Sequence, residues 1–367
     1  MQIAIVSSFP ALTQQLTKLI KTTQFKIAWT ANNGQEAVKL CTKIIPDLIL
    51  MDLVMPIMDG IVATRIIMQT TPCAILMLTH SISSYPNMAS EAIKAGAIDV
   101  LNTPDNYETN TQILLNKINA VGKLIEQKSD IFKSRVRYRY CNNSLHENNT
   151  KIETSSSPIQ LSLPTNNSYG NKIESSTPPD YLVAIGASTG GPSAVLGVLQ
   201  QLAATFPAPI VVVQHVEEQF VSGLATWFEQ QIALTVKIAQ EQDRPQIGQV
   251  LIAGGSRHLV FSSKQMLRYI DQIGMLYCPS VDLFFESLAE NWPGKVIGVL
   301  LTGMGCDGAT GLKKLKEKGH VTIAQNEKSC VVYGMPKAAI ELKAAEYVLA
   351  PDQIGFILNR LVLIKSH

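Results

Sequence analysis

The chain has 367 residues, of which 46% are hydrophobic and 16% charged, and its formal net charge is +2. At roughly 100–200 residues per domain this length implies two or three domains, each with enough apolar side chains for its own core. The near-neutral balance excludes a strong pull toward nucleic acid or anionic lipid, and no apolar run approaches the ~20 residues needed to cross a bilayer.

In chain order, short apolar runs alternate with helical patterns. Ile3–Val6, Phe25–Trp29, Leu48–Met51, Ala74–Leu78 and Val100–Leu101 read as buried strands. Between and after them, Ala11–Lys21, Gly34–Lys43, Gly60–Gln69, Ser84–Ala95 and Thr111–Gln127 read as helices. Five such pairs predict an α/β domain over residues 1–127, a doubly wound parallel sheet of flavodoxin-like (βα)5 type. Residues 141–180 then hold 24 Asn, Ser, Thr, Pro or Gly in 40 positions. Too few apolar side chains remain there to offset the entropy of ordering, so 128–180 reads as a flexible linker. Lys133, Arg135, Arg137 and Arg139 at its edge read as a solvated charged stretch.

From 181 to 367 the same grammar returns on a larger scale. Leu182–Ile185, Ile210–Val213, Val236–Ala239, Val250–Ala253, Val296–Leu301, Val321–Ala324 and Tyr347–Leu349 are candidate strands, with helical segments such as Asp282–Glu290 and Gly311–Lys318 between them. A second, larger, doubly wound and mostly parallel sheet is expected, covered by helices on both faces. The six scattered cysteines show neither a C-x-x-C pair nor zinc-like spacing with histidine, which reads as free thiols. Met1–Val6 lacks the basic n-region of a signal peptide, so a cytoplasmic chain that is not membrane-embedded is expected.

Three residues at strand ends could carry chemistry. Gly186-Ala187-Ser188-Thr189-Gly190-Gly191 follows a strand and precedes an apolar helix, fitting G-x-S-x-G, in which glycines allow a sharp turn that presents the serine hydroxyl. The helix N-terminus behind it offers free N–H groups to an oxyanion, though such a turn could equally cradle a nucleotide phosphate. His215 ends the strand Ile210–Gln214, where a hydrogen-bonded core histidine would also be ordinary. Asp307 follows Val296–Leu301 and precedes a helix it could simply cap. Together they sit at the carboxyl ends of strands of one sheet, where open α/β folds place their ligands. They also supply what acyl transfer needs: a hydroxyl, a base to take its proton and a carboxylate to orient that base.

The segments Gly186–Gly191, Val213-Gln214-His215, Pro279-Ser280-Val281-Asp282, Leu301-Thr302-Gly303-Met304-Gly305-Cys306-Asp307-Gly308 and Tyr333-Gly334-Met335-Pro336 resemble, in order, the motif series of the bacterial chemotaxis protein-glutamate methylesterase family, CheB. The resemblance implies Ser188 as nucleophile, His215 as general base and acid, and Asp307 as orienting carboxylate. It further implies Thr189 and Met304 at the oxyanion and substrate site. The implied reaction is hydrolysis of glutamate γ-methyl esters on chemoreceptors, with deamidation of glutamine possible, and it needs no cofactor. Methyl-accepting chemoreceptors and a chemotaxis histidine kinase are the implied partners.

The first domain resembles a response-regulator receiver. Asp47–Asp52 and the following Leu53-Val54-Met55-Pro56-Ile57-Met58-Asp59-Gly60 match the phosphorylation motif, which puts Asp52 at the phospho-acceptor place and Thr79 at the switch hydroxyl. Two departures bear on its chemistry. Ser7 and Ser8 replace the acidic pair that holds Mg²⁺ in receivers, and Thr103 stands where a lysine precedes Pro104. One carboxylate is a poor site for a hard cation, and without metal or ammonium the transferring phosphoryl is poorly stabilised. A degenerate receiver that phosphorylates weakly or not at all is expected.

Two other classes of function remain to be weighed. One is a non-catalytic pseudo-response-regulator that binds receptor tails; the complete triad argues against it. The other is a nucleotide-binding regulator built on Gly186–Gly191, weakened because Gln201–Pro209 holds no acidic residue for a ribose.

Overall fold

Leu48-Ile49-Leu50-Met51 contains no polar side chain, and in the computed structural model all four residues and Asp52 are buried, as a strand covered on both faces must be. The structure describes residues 1–79, 86–103, 108–127, 179–271 and 277–363. Most of the expected linker, its basic edge, Ser84, Tyr85, Pro104 and the last four residues lie outside these.

The first sheet contains β1 (Gln2–Val6), β2 (Lys26–Ala31), β3 (Leu48–Asp52), β4 (Ala74–Thr79) and β5 (Asp99–Asn102), all parallel, in the order β2-β1-β3-β4-β5. Its helices are α1 (Pro10–Lys21), α2 (Gly34–Cys41), α3 (Gly60–Thr70), α4 (Pro86–Ala95) and α5 (Glu108–Gln127). This is the flavodoxin-like (βα)5 arrangement expected from the alternation.

The second sheet has seven parallel strands: β6 (Tyr181–Ala187), β7 (Ile210–Gln214), β8 (Thr235–Ile238), β9 (Gln249–Ile252), β12 (Lys295–Leu300), β13 (Val321–Gln325) and β14 (Tyr347–Leu349). Their order is β14-β13-β12-β6-β7-β9-β8. Side chains alternate between its two faces with the strand period of two. Val183, Ile185 and Ala187 pack with Val195 and Phe228 of α6 (Gly191–Leu199) and α7 (Glu218–Gln231). Leu182 and Ala184 pack on the other side with Phe284, Phe285 and Leu312 of α8 (Val281–Asn291) and α9 (Ala309–Glu317). Helices α10 (Met335–Glu341) and α11 (Pro351–Leu363) complete the layers.

An antiparallel hairpin, β10 (His258–Phe261) with β11 (Leu267–Ile270), was not expected from the sequence. Its strands are four residues long and its turn, Ser262-Ser263-Lys264-Gln265, lacks the Asn-Gly or Asp-Gly pair that marks tight hairpins. Gln265 supplies the positive φ of 60° instead.

The two α/β units touch near the carboxyl ends of their sheets. Helix α4 packs on α7, and Phe220 of α7 is buried in one cluster with Ala89 and Ala92 of α4. Asn102, at the end of β5, donates its side-chain N–H to the carboxylate of Glu217, which precedes α7.

Candidate active site

Strand order brings the loops that carry the three candidate residues to one rim of the sheet, where His215 bonds Asp307 while its Nδ1 takes no bond from the Ser188 hydroxyl. From β6 the chain winds outward one way through β7 and later returns to build β12 on the other side, so the order reverses beside β6, where open α/β sheets form a crevice. Ser188 follows β6, His215 follows β7 and Asp307 lies in the loop after β12. The ladder extends past the strand ends: the His215 N–H donates to the Ala187 carbonyl at 2.9 Å, and the Ser188 N–H to that of Thr302 at 3.0 Å. Neighbouring loops are thus tied to the serine by backbone bonds.

The turn after Ser188 needs its glycines. Gly190 has φ +75°, a conformation costly for residues with a Cβ, and a Cβ on Gly191 would lie 2.1 Å from Gln214 Oε1. That close approach matters because Gln214 Nε2 donates to the carbonyls of Ser188 (2.8 Å) and His215 (3.2 Å), one amide clamping both chemical residues. The Ser188 amide is committed to the Thr302 carbonyl, and Thr189 in the following turn is buried.

His215 Nε2 donates to Asp307 Oδ2 at 2.8 Å, while its Nδ1 is buried and takes no hydrogen bond. The Asp307 carboxylate also accepts from Ser280 Oγ at 2.9 Å and from the amides of Val281 (2.7 Å) and Asp282 (3.0 Å). Burial pushes this carboxyl up. The His215 hydrogen bond and charge, with the Val281 and Asp282 amides, outweigh that and hold it below its ordinary value. An ionised carboxylate can only accept, so Nε2 carries the ring proton of the neutral imidazole and Nδ1 is its free base.

Asp307 therefore does not cap the helix that follows it. Gly308, at φ +88°, takes the N-cap of α9, and the carboxylate instead satisfies the amino end of α8, whose own cap is Ser280. The dipole of a helix 25 residues upstream of it, counting from Asp282, stabilises the Asp307 carboxylate. Asp282 is half-buried and accepts from the Gly311 N–H at 2.6 Å. Burial pushes it up to about 6, with the Gly311 and Gly308 amides opposing and the Asp307 and Glu286 charges adding to the rise.

Ser188, Thr189, His215 and Met304 line one cavity of about 1250 Å³, and Asn116 and Lys117 of α5 line its other side. Asp307 stands behind His215, 5% exposed. The sequence pointed to Ser188, His215 and Asp307 by residue type and motif, and the family resemblance added Thr189 and Met304; nothing in it pointed to Asn116 or Lys117. It did not assign roles to Gln214, Ser280 or Tyr277, although Ser280 before an apolar helix is a readable cap signal.

At the first sheet, Asp52 is 3% exposed and accepts from Ser7 Oγ at 3.0 Å, and Ser7 in turn accepts from the Phe9 amide at 3.1 Å. Thr79 is buried at the end of β4, and the Thr103 amide donates to its carbonyl at 2.8 Å. These residues do not fit a Mg²⁺ site. The Asp52 carboxylate accepts from a neutral hydroxyl, and Ser7 and Ser8 bring no charge to a hard cation. Among the described residues no group of three or more His, Cys, Asp or Glu could hold a metal ion, and no helix is long and apolar enough to cross a membrane.

Comparison with known proteins identifies the family. The family profile "CheB methylesterase" matches residues 183–358, and "Response regulator receiver domain" matches residues 3–113. A "Protein-glutamate methylesterase/protein-glutamine glutaminase" of Mesorhizobium japonicum is 43% identical over 97% of this chain and 97% of its own. A relative of the same description from Pseudomonas aeruginosa is 40% identical over 97% of this chain and 98% of its own. The crystal structure of the Thermotoga maritima CheB methylesterase catalytic domain is 39% identical and covers 49% of this chain and 97% of that one, with a TM-score of 0.46. Identity at this level, sustained over nearly the full length of its relatives, means that the chain belongs to the CheB protein-glutamate methylesterase/protein-glutamine glutaminase family, carboxylic-ester hydrolases carrying a response-regulator receiver domain.

Proposed function

We propose that the chain demethylates, and by the same chemistry deamidates, glutamyl side chains on the cytoplasmic helices of chemoreceptors, in chemotaxis adaptation, with Ser188, His215 and Asp307 as the triad. The observation that carries this reading is the His215–Asp307 bond behind a free imidazole nitrogen, in the cavity that Ser188 lines. The Ser188 hydroxyl attacks the ester carbonyl carbon as its proton passes to His215 Nδ1, and Asp307 stabilises the imidazolium. Backbone N–H groups near Thr189 and Met304 hold the oxyanion. His215 returns the proton to the departing methoxy oxygen, methanol leaves, and a water activated by the same imidazole hydrolyses the acyl-serine to a glutamate carboxylate. With glutamine the leaving group is ammonia.

Residues 1–127 act in this reading as a degenerate receiver, 128–180 as the linker and 181–367 as the catalytic domain. Receiver residues, Asn116 and Lys117 among them, line the cavity, and in this reading they restrict a receptor helix, which is about 10–12 Å wide with its side chains. Asp52, held by Ser7, is a poor phospho-acceptor, so release answers some input other than efficient transfer from a histidine kinase. The triad assignment is tested with Ser188→Ala and methanol release from methylated receptor. The variant is expected to lose about 10⁴-fold or more in kcat; turnover near the wild-type rate would end the assignment.

A further inference from the structure

The imidazole that the proposed mechanism depends on is held at only one ring atom. Its Nε2 bonds Asp307, while Nδ1 has no hydrogen bond in the resting state, so hydrogen bonding alone leaves the ring free to rock about the Nε2···Oδ2 contact. A second ring closes off that freedom. Tyr277 stacks on His215 with centroids 5.0 Å apart and planes 5° from parallel.

Tyr277 is itself braced. It stands three residues before Ser280, so its backbone leads into the segment whose hydroxyl and amides hold Asp307. On the other side its hydroxyl packs on the loop that carries Met304 and Asp307. A Cβ added to Gly305 would lie 2.3 Å from Tyr277 Oη, and Gly305 has φ +83°, so this position has room for a glycine and little else. Burial raises the phenol pKa, and the charges of Cys306 and Asp307 push the same way, which leaves a neutral ring at physiological pH.

We propose that Tyr277 is a positioning residue for the hydrolysis, a flat wall that fixes the plane of the His215 imidazole and offers its π-face to the imidazolium formed when Ser188 loses its proton. The inference rests on the esterase reading of Ser188 and His215. Asp307 defines the edge of the imidazole and Tyr277 its face, and together they aim Nδ1 in a way that neither contact does alone. The aromatic face also favours the charged form that exists only after proton transfer, so its contribution falls on turnover and not on receptor binding.

The test uses the full-length protein, with methanol release from methylated receptor and the rate of Ser188 labelling by a fluorophosphonate as two readouts. Tyr277→Leu removes the ring, and is expected to lower kcat and the labelling rate by about tenfold with KM changed by less than about twofold. Tyr277→Phe keeps the ring and is expected to stay within about twofold of wild type on both. Should Tyr277→Leu melt below the assay temperature, Tyr277→Met, long and apolar but not flat, replaces it with the same expectation. An active wild type beside an unimpaired Leu or Met variant overturns the inference, as does a Phe variant that loses as much as the Leu variant. A wild type inert in both assays overturns the esterase reading first and this inference with it.

Discussion

Replacing Asp282 by asparagine should stabilise the protein at neutral pH and not in acid. The side chain is half-buried, caps the amino end of α9 through Gly311, and is pushed up from an ordinary 3.8 to about 6, chiefly by burial. A carboxyl whose pKa is raised on folding binds its proton more tightly in the native state than in the unfolded one. Stability therefore falls as pH rises from about 4 to about 6 and is level above that, the reverse of the usual salt-bridged aspartate. The full gap corresponds to about 3 kcal/mol, and solvent screening at a half-exposed site reduces it to about 1 kcal/mol. Asp282→Asn keeps an acceptor oxygen for the Gly311 amide and cannot ionise. At pH 7.5 it should exceed wild type by about 1 kcal/mol, and at pH 4 the two should converge. Urea unfolding of both proteins across this range, followed by far-UV circular dichroism, measures the difference. A variant less stable than wild type at pH 7.5, or a difference that does not change with pH, would refute the assignment of a buried, costly charge beside the triad.

Two predictions concern the receiver. Asn102→Ala removes the bond to Glu217 across the domain contact and should raise receptor demethylation about fivefold, the effect of one hydrogen bond on the opening equilibrium, while leaving fluorophosphonate labelling of Ser188 nearly unchanged. Unchanged demethylation would mean that the contact does not restrain access. Incubation with acetyl phosphate and Mg²⁺ should leave Asp52 essentially unlabelled, because its carboxylate is buried against Ser7; rapid stoichiometric labelling would show that neither the missing acidic pair nor the missing lysine matters.

The cavity between the domains gives the receiver its place in the proposal. Its walls come from Ser188, His215 and Met304 on one side and from Asn116 and Lys117 on the other, so a change in how α4 sits on α7 would alter what reaches the serine. A volume of about 1250 Å³ admits a small ester. A receptor helix presented on a folded bundle needs the wall on the α5 side to move.

What the sequence alone determined is what local physics governs. Strands buried on both faces must be continuous apolar runs, so Leu48–Met51, Leu182–Ile185 and Val296–Leu301 were legible, and so were the turn glycines after Ser188 that let a backbone bend sharply. Residue chemistry then made Ser188, His215 and Asp307 a candidate set, and the resemblance to receivers made Ser7, Ser8 and Thr103 departures from their pattern. What only the tertiary structure decided is which distant groups meet. The reversal of strand order at β6 puts the loops after β7 and β12 on either side of one serine. Asp307 turned out to serve the amino end of α8 and not its own helix, Gln214 to clamp two carbonyls, and Tyr277 to lie flat on His215. No periodicity encodes those contacts, because the direction of a side chain beyond its strand end is set by packing against segments tens of residues away.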